Sequence, residues 1–158
     1  MYYEYSEEQV AKDKNFVNFL VKEKELHKSN DDLEILVSAN LMLEKVRDSI
    51  ETHKWLLNKV YTKEISESQA MDSWLEYVFS PIHYMFKRFY RNKWKTYTPN
   101  GKVATILSVM VTWDELKKEV SKEKRPISIS KAFWFYLYIM ELKKVKQVYY
   151  FARYLLSI

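Results

Sequence analysis

The sequence predicts a mainly α-helical protein, with long helices in its first 95 residues and a small helical module after them. Three observations predict this. The chain has one glycine and three prolines in 158 residues, whereas hairpins, meanders and phosphate loops depend on glycine for positive φ. Four stretches, Ser6 to Gln9, Asp31 to Glu34, Ser66 to Gln69 and Thr112 to Glu115, place a short polar acceptor three residues before a Glu or Gln. That is the capping-box spacing, which satisfies the free amides of a helix start. Finally, Leu36, Ala39, Leu43, Val46, Ile50, His53, Leu57 and Val60 recur at alternating steps of three and four, the seam by which one helix packs along another.

Taken in order, these signals predict helices at about 6–28, 31–62, 66–80 continuing past Pro81 to about 95, 112–122, and a last one from about 128. TYTPNG at 96–101 is the only stretch where proline and glycine cluster, so it is the predicted turn or linker between a long-helix region, 1–95, and a C-terminal helical module, 102–158. The seam from Leu36 to Val60 asks for a packing partner, and a homodimer is the expected cover. His53 sits on that seam with no metal-type spacing to His27 or His83, so it reads as a core or rim residue and no metal site is expected.

Composition excludes several functions. With 47% hydrophobic and 16% aromatic residues, the chain has enough apolar surface to offset the entropy of ordering. The absence of cysteine removes disulfides, thiolate metal sites and cysteine nucleophiles. No secretory-type leader opens the sequence, and the longest apolar run, AFWFYLYIM at 132–140, is too short to span a bilayer, so a soluble, cytoplasmic protein without a membrane partner is expected. A single glycine rules out a Gly-rich phosphate loop, no serine lies in a nucleophile elbow, and neither a catalytic residue nor a cofactor is assigned.

Charge is unevenly distributed. Residues 1–76 carry 10 basic and 16 acidic side chains, residues 77–113 carry 6 basic and none acidic, and residues 114–158 carry 10 basic and 5 acidic. Such asymmetry creates a local positive field that attracts phosphate. Its centre is HYMFKRFYRNKWKTY at 83–97. On a helix, Ile82, Met85, Phe86, Phe89 and Tyr90 share one side, while Lys87, Arg88, Arg91 and Lys95 lie opposite with Tyr84 among them. Solvated helix faces gain from mixed signs at i, i+4, whereas this arc repels itself and so should meet something acidic. Lys93 falls toward the apolar side, which predicts fraying near Asn92 and surface positions for Trp94 and Tyr97. The expected nucleic-acid contacts are Lys87, Arg88, Arg91, Lys93, Lys95 and Lys102, with Tyr84, Trp94 and Tyr97 as stacking neighbours. DNA is the expected partner, with no sequence preference legible.

After residue 101 the chain runs KVATILSVMV, TWDELKKEVSK, ISISKAFWFYLYIMELKK and VKQVYYFARYLLSI. In order and spacing this resembles a winged helix-turn-helix: a first helix at 102–110, a second at 112–122, a third at about 128–142, and a wing from Val145 to Ile158. The resemblance implies a DNA-binding module. Residues 132–140 are too apolar to read bases, so only Ser128, Ser130 and Lys131 have chemistry suited to a groove. Val145, Val148, Tyr149, Ala152, Leu155 and Leu156 fit a final helix as well as a wing. Two other functions stand beside nucleic-acid binding. One is an assembly factor acting through the seam or the 132–140 run. The other is a metal-dependent nuclease, because Glu141, Leu142 and Lys143 after a strand-like run resemble the end of a PD-(D/E)xK motif, in which an acid pair holds the metal and the lysine orients water. Ile127 occupies the place of its upstream aspartate.

Overall fold

Helix accounts for 89% of the described residues, and no strand occurs among them. The structure is a computed structural model that describes residues 12, 14–16, 18–20, 22, 31–61, 64–119, 127–141 and 144–157. Eight helices are delimited within it: α1 Asp31–Ser38, α2 Leu43–Val60, α3 Glu67–Trp74, α4 Ser80–Phe89, α5 Arg91–Trp94, α6 Pro99–Glu119, α7 Ile129–Met140 and α8 Lys144–Leu156. The chain divides into two units that alternate along the sequence. Met1–Asp72 and Tyr97–Val103 form the first, and Ser73–Thr96 and Ala104–Ile158 form the second.

In the first unit, the helix expected over 31–62 is interrupted. Ala39 leaves helical geometry at φ −87° and ψ 62°, and a single 3-10 turn, Asn40–Met42, leads into α2. Breaking a helix strands backbone amides, which must find other acceptors. Here the Leu41 amide donates to Asn100 Oδ1 at 3.0 Å, and Asn100 Nδ2 donates to Asn40 Oδ1 at 3.3 Å. The seam is buried over its first half, at Leu36, Ala39, Val46 and Ile50, and opens toward its end, where Val60 is exposed. His53 is half-buried, and desolvation pushes its imidazole below the usual histidine pKa. The described residues between 12 and 22 are helical with Leu20 buried; the start signal at Ser6 to Gln9 lies outside the described residues.

The capping box at Ser66 forms as expected. The Gln69 amide donates to Ser66 Oγ at 3.2 Å, and the Ser66 amide donates to Gln69 Oε1 at 3.0 Å. Ser66→Ala is therefore expected to cost about 1 kcal/mol of stability, read from a denaturant melt. Gln69→Ala removes the reciprocal bond and should cost less, because the serine still caps. The stretch at 96–101 is not a free linker. Thr98 caps α6, its hydroxyl accepting from the Gly101 amide at 3.1 Å, and Pro99 takes the first helical position, where its missing N–H costs nothing. Gly101 does not have a positive φ.

In the second unit, α3 passes into α4 through a π-turn, Leu75–Phe79, in which the Ser80 amide donates to the Leu75 carbonyl five residues back. The wide turn lies just ahead of Pro81, whose ring and absent N–H do not suit an ordinary helix interior. α4 ends when Tyr90 turns to φ −128° and ψ 23°, two residues before the fraying expected at Asn92. The box at Thr112 to Glu115 does not start a helix: Thr112 lies within α6 and its hydroxyl donates to the Ser108 carbonyl at 3.0 Å. The two helices expected at 102–110 and 112–122 are thus one, since KVATILSVMV runs into TWDEL without a breaker. The segment expected as a wing is α8, so the helical alternative holds for 144–156.

α7 and α8 pack against each other along their length. Phe135 lies 5.1 Å from Tyr154 and Tyr138 lies 5.2 Å from Phe151, centroid to centroid, pairs that mark an antiparallel hairpin. Ser128 caps α7, accepting from the Lys131 amide at 3.1 Å. The run at 132–140, strand-like in the nuclease reading, is helical because an N-cap opens it and nothing in it breaks a helix.

Candidate nucleic-acid interface

The second unit is built on aromatic rings, and the rings decide which basic residues face water. Phe86, fully buried, stacks on Trp94 at 4.3 Å with an 8° interplanar angle and meets Phe133 edge-on at 4.8 Å. Phe79, His83 and Trp94 continue the row at 6.0 and 5.8 Å. With Ile82 and Phe86 buried on one side of α4, the opposite side must carry Tyr84, Lys87 and Arg88, and all three are exposed.

The turn at Tyr90 re-aims the side chains beyond it. Trp94 is only 3% exposed, so the surface stacking expected of it is corrected: it is a core residue, brought inward when the chain leaves α4 and starts α5 in a new phase. Arg91 and Lys95 stay exposed. Lys93 stands 3.8 Å from Glu141, a buried carboxylate at the end of α7, and its ammonium lies 5.5 Å from the Tyr90 ring centre. That lysine already has an acidic partner. The Tyr150 phenol has its pKa pushed up by burial, by the Glu141 carboxylate and by Tyr149.

Among the described residues, no carboxylate pairs with Arg88, Arg91 or Lys95. Arg88 instead donates to the Tyr84 hydroxyl at 2.9 Å and lies 5.4 Å from the Phe89 ring centre. Arg153 of α8 approaches the same ring at 5.6 Å and Trp134 at 4.6 Å. Sequence reasoning missed Arg153. Its only local signal is one arginine in an otherwise apolar helical stretch, and its neighbours on the ring are distant in sequence. Tyr97 and Lys102 are half-buried and belong to the first unit, so the expected contact set does not gather in one unit. Of the residues suited to a groove, Ser128 is occupied as a cap and Lys131 lies 5.0 Å from the Tyr154 ring centre.

Divided by unit, the charge remains uneven, though less so than in a single cut after Glu76, which leaves −6 before it and +11 beyond it. The second unit holds 15 basic and 6 acidic residues, a net of +9, and the first holds 11 basic and 15 acidic, a net of −4.

No group of three His, Asp or Glu among the described residues is placed to hold a metal ion, and no described helix is long and apolar enough to cross a membrane. Lys143 of the nuclease-like tripeptide lies outside the described residues. A cavity of about 290 Å³ in the first unit mixes Lys12 and Arg47 with Glu51 and Glu67 on its walls, so no one sign of charge selects a ligand there. No family model, curated protein or solved structure matches this chain.

Proposed function

We propose that this protein binds nucleic acid, duplex DNA first, by contacts to the phosphate backbone and without catalysis. The observation that carries the reading is the exposed set Arg88, Arg91 and Lys95, with no carboxylate partner among the described residues, in a unit of net charge +9. Guanidinium groups suit phosphate because their planar fork of donors matches its oxygens. Arg153 brings a second guanidinium to within 5.6 Å of the Phe89 ring centre, which Arg88 approaches at 5.4 Å. Tyr84 is the remaining exposed aromatic of the expected set, and its hydroxyl already orients Arg88. Contacts of this kind position a protein on a duplex without selecting a sequence.

The test is a binding titration with a short DNA duplex and an RNA duplex of the same sequence, over a series of salt concentrations. Each neutralised phosphate contributes about 0.9 to the log-log slope on B-DNA, so two to four contacts give a slope of roughly −2 to −4. No binding to either duplex in low salt would overturn the reading and leave an acidic protein surface as the partner of this face.

A further inference from the structure

α8 is apolar on two sides. Its inner side is covered: Tyr150 is buried, and Gln147 and Tyr154 are half-buried. On its outer side Val145, Val148, Tyr149, Ala152, Leu155 and Leu156 are all exposed, Val145 to 85% and Leu156 to 76%. A helix with apolar residues all round is normally covered all round. Leaving such a stripe in water is unfavourable and marks an interaction surface.

We propose that a second copy of this chain covers the outer face of α8, the two helices packing antiparallel about a twofold axis. Three features favour this occupant. The spacing 145, 148, 152, 155 follows the three-and-four step of a helix-to-helix seam, with the small Ala152 allowing close approach. The six side chains offer about 600 Å² per copy, on the order of the ~1,200 Å² total of the smallest specific interfaces.

The third feature is charge. Lys144 and Lys146 lie in the first turn of α8, and no charged residue lies beyond Arg153 in the helix, whose guanidinium is turned onto Trp134. A parallel pair would bring the four lysines together. An antiparallel pair separates them and sets each couple near the last carbonyls of the partner helix, where the helix dipole is negative. In that register Val145 faces Leu155 of the partner subunit, and Val148 faces Ala152 of the partner subunit. The pairing does not depend on nucleic-acid binding.

The first half of the 36–60 seam is covered within its own chain, and the homodimer proposed here runs through α8 instead. An interface this small implies a weak pair, so the mass should be measured by sedimentation from about 1 to 100 μM. The expected result is a shift from monomer to dimer across that range. Val148→Lys should hold the protein monomeric throughout, with its helical circular dichroism and melting temperature unchanged because the side chain is exposed in the monomer.

Because the chain has no cysteine, single-cysteine variants can report the direction of pairing. With a short bis-maleimide, Tyr149→Cys should cross-link to its own copy near the axis. Leu155→Cys should not, because its counterpart lies about 15 Å away along the helix. A monomer at every concentration overturns the proposal, as does cross-linking of both positions, which would mean parallel pairing. Co-sedimentation of a monomeric protein with anionic vesicles of phosphatidylserine and phosphatidylcholine, lost in Val148→Lys, would also overturn it and assign the face to a lipid surface.

Discussion

Phe86→Ala is expected to lower the stability of the protein by about 3–5 kcal/mol. The ring is fully buried, stacks on Trp94 at 4.3 Å and meets Phe133 at 4.8 Å. Truncation removes the transfer free energy of the ring, leaves a cavity and breaks four aromatic pairs, with Tyr90, Trp94, Phe133 and Tyr136, the closest of them contributing about 0.5–1.5 kcal/mol each beyond the area they bury. At roughly 3 °C per kcal/mol for a chain of this size, the melting temperature should fall by about 10–15 °C. Phe86→Leu keeps part of the volume and should recover much of the loss. A fall under about 1 kcal/mol for the alanine variant would show that this ring is not at the centre of the packing.

The Arg88→Ala, Arg91→Ala double variant should do the reverse, leaving the melt nearly unchanged and weakening binding. Both side chains are exposed, and neither pairs with a carboxylate among the described residues. Their removal therefore strands no buried charge. If they contact phosphates, the salt slope should flatten by about 2, and affinity should drop alike for every sequence. Binding that is unchanged in the double variant moves the site toward the lysines of α6 and α8. A variant that loses its fold instead would show that the two arginines are structural. Phe86 and Arg88 are two residues apart on one helix, so the pair of experiments separates packing from binding within a single turn.

How far the sequence revealed this molecule depends on the range of the interaction behind each feature. The box at Ser66 was legible because both of its hydrogen bonds close within four residues. The same pattern at Thr112 misled, because a capping signal acts only where the chain is free to leave the helix, and the apolar residues before Thr112 keep it helical. The break at Ala39 could not be read locally, since Asn100, which takes up the Leu41 amide, is 59 residues away. Within the candidate interface, the basic side of α4 followed from helical phase alone. Trp94 was misplaced because one residue, Tyr90, resets that phase, and Arg153 was missed because only tertiary packing brings it to Phe89.

The π-turn at Leu75–Phe79 bears on how the chain tolerates changes in length. A π-turn is a helical turn holding one extra residue, and its buried neighbours keep the record. Ala70, Met71 and Trp74 before it, and Ile82, His83 and Phe86 after it, are out of step by roughly the 100° that one residue adds to a helix. Losing a single residue inside the turn would close it to ordinary helix and leave the two sets in register, at the expense of strain at Pro81. Losing one a few positions later, between His83 and Met85, would swing Phe86 and Arg88 by that same angle and send each toward the other's side. The five residues of the turn are therefore the place on this helix where the reading frame of the packing can lose a residue without exchanging inside for outside.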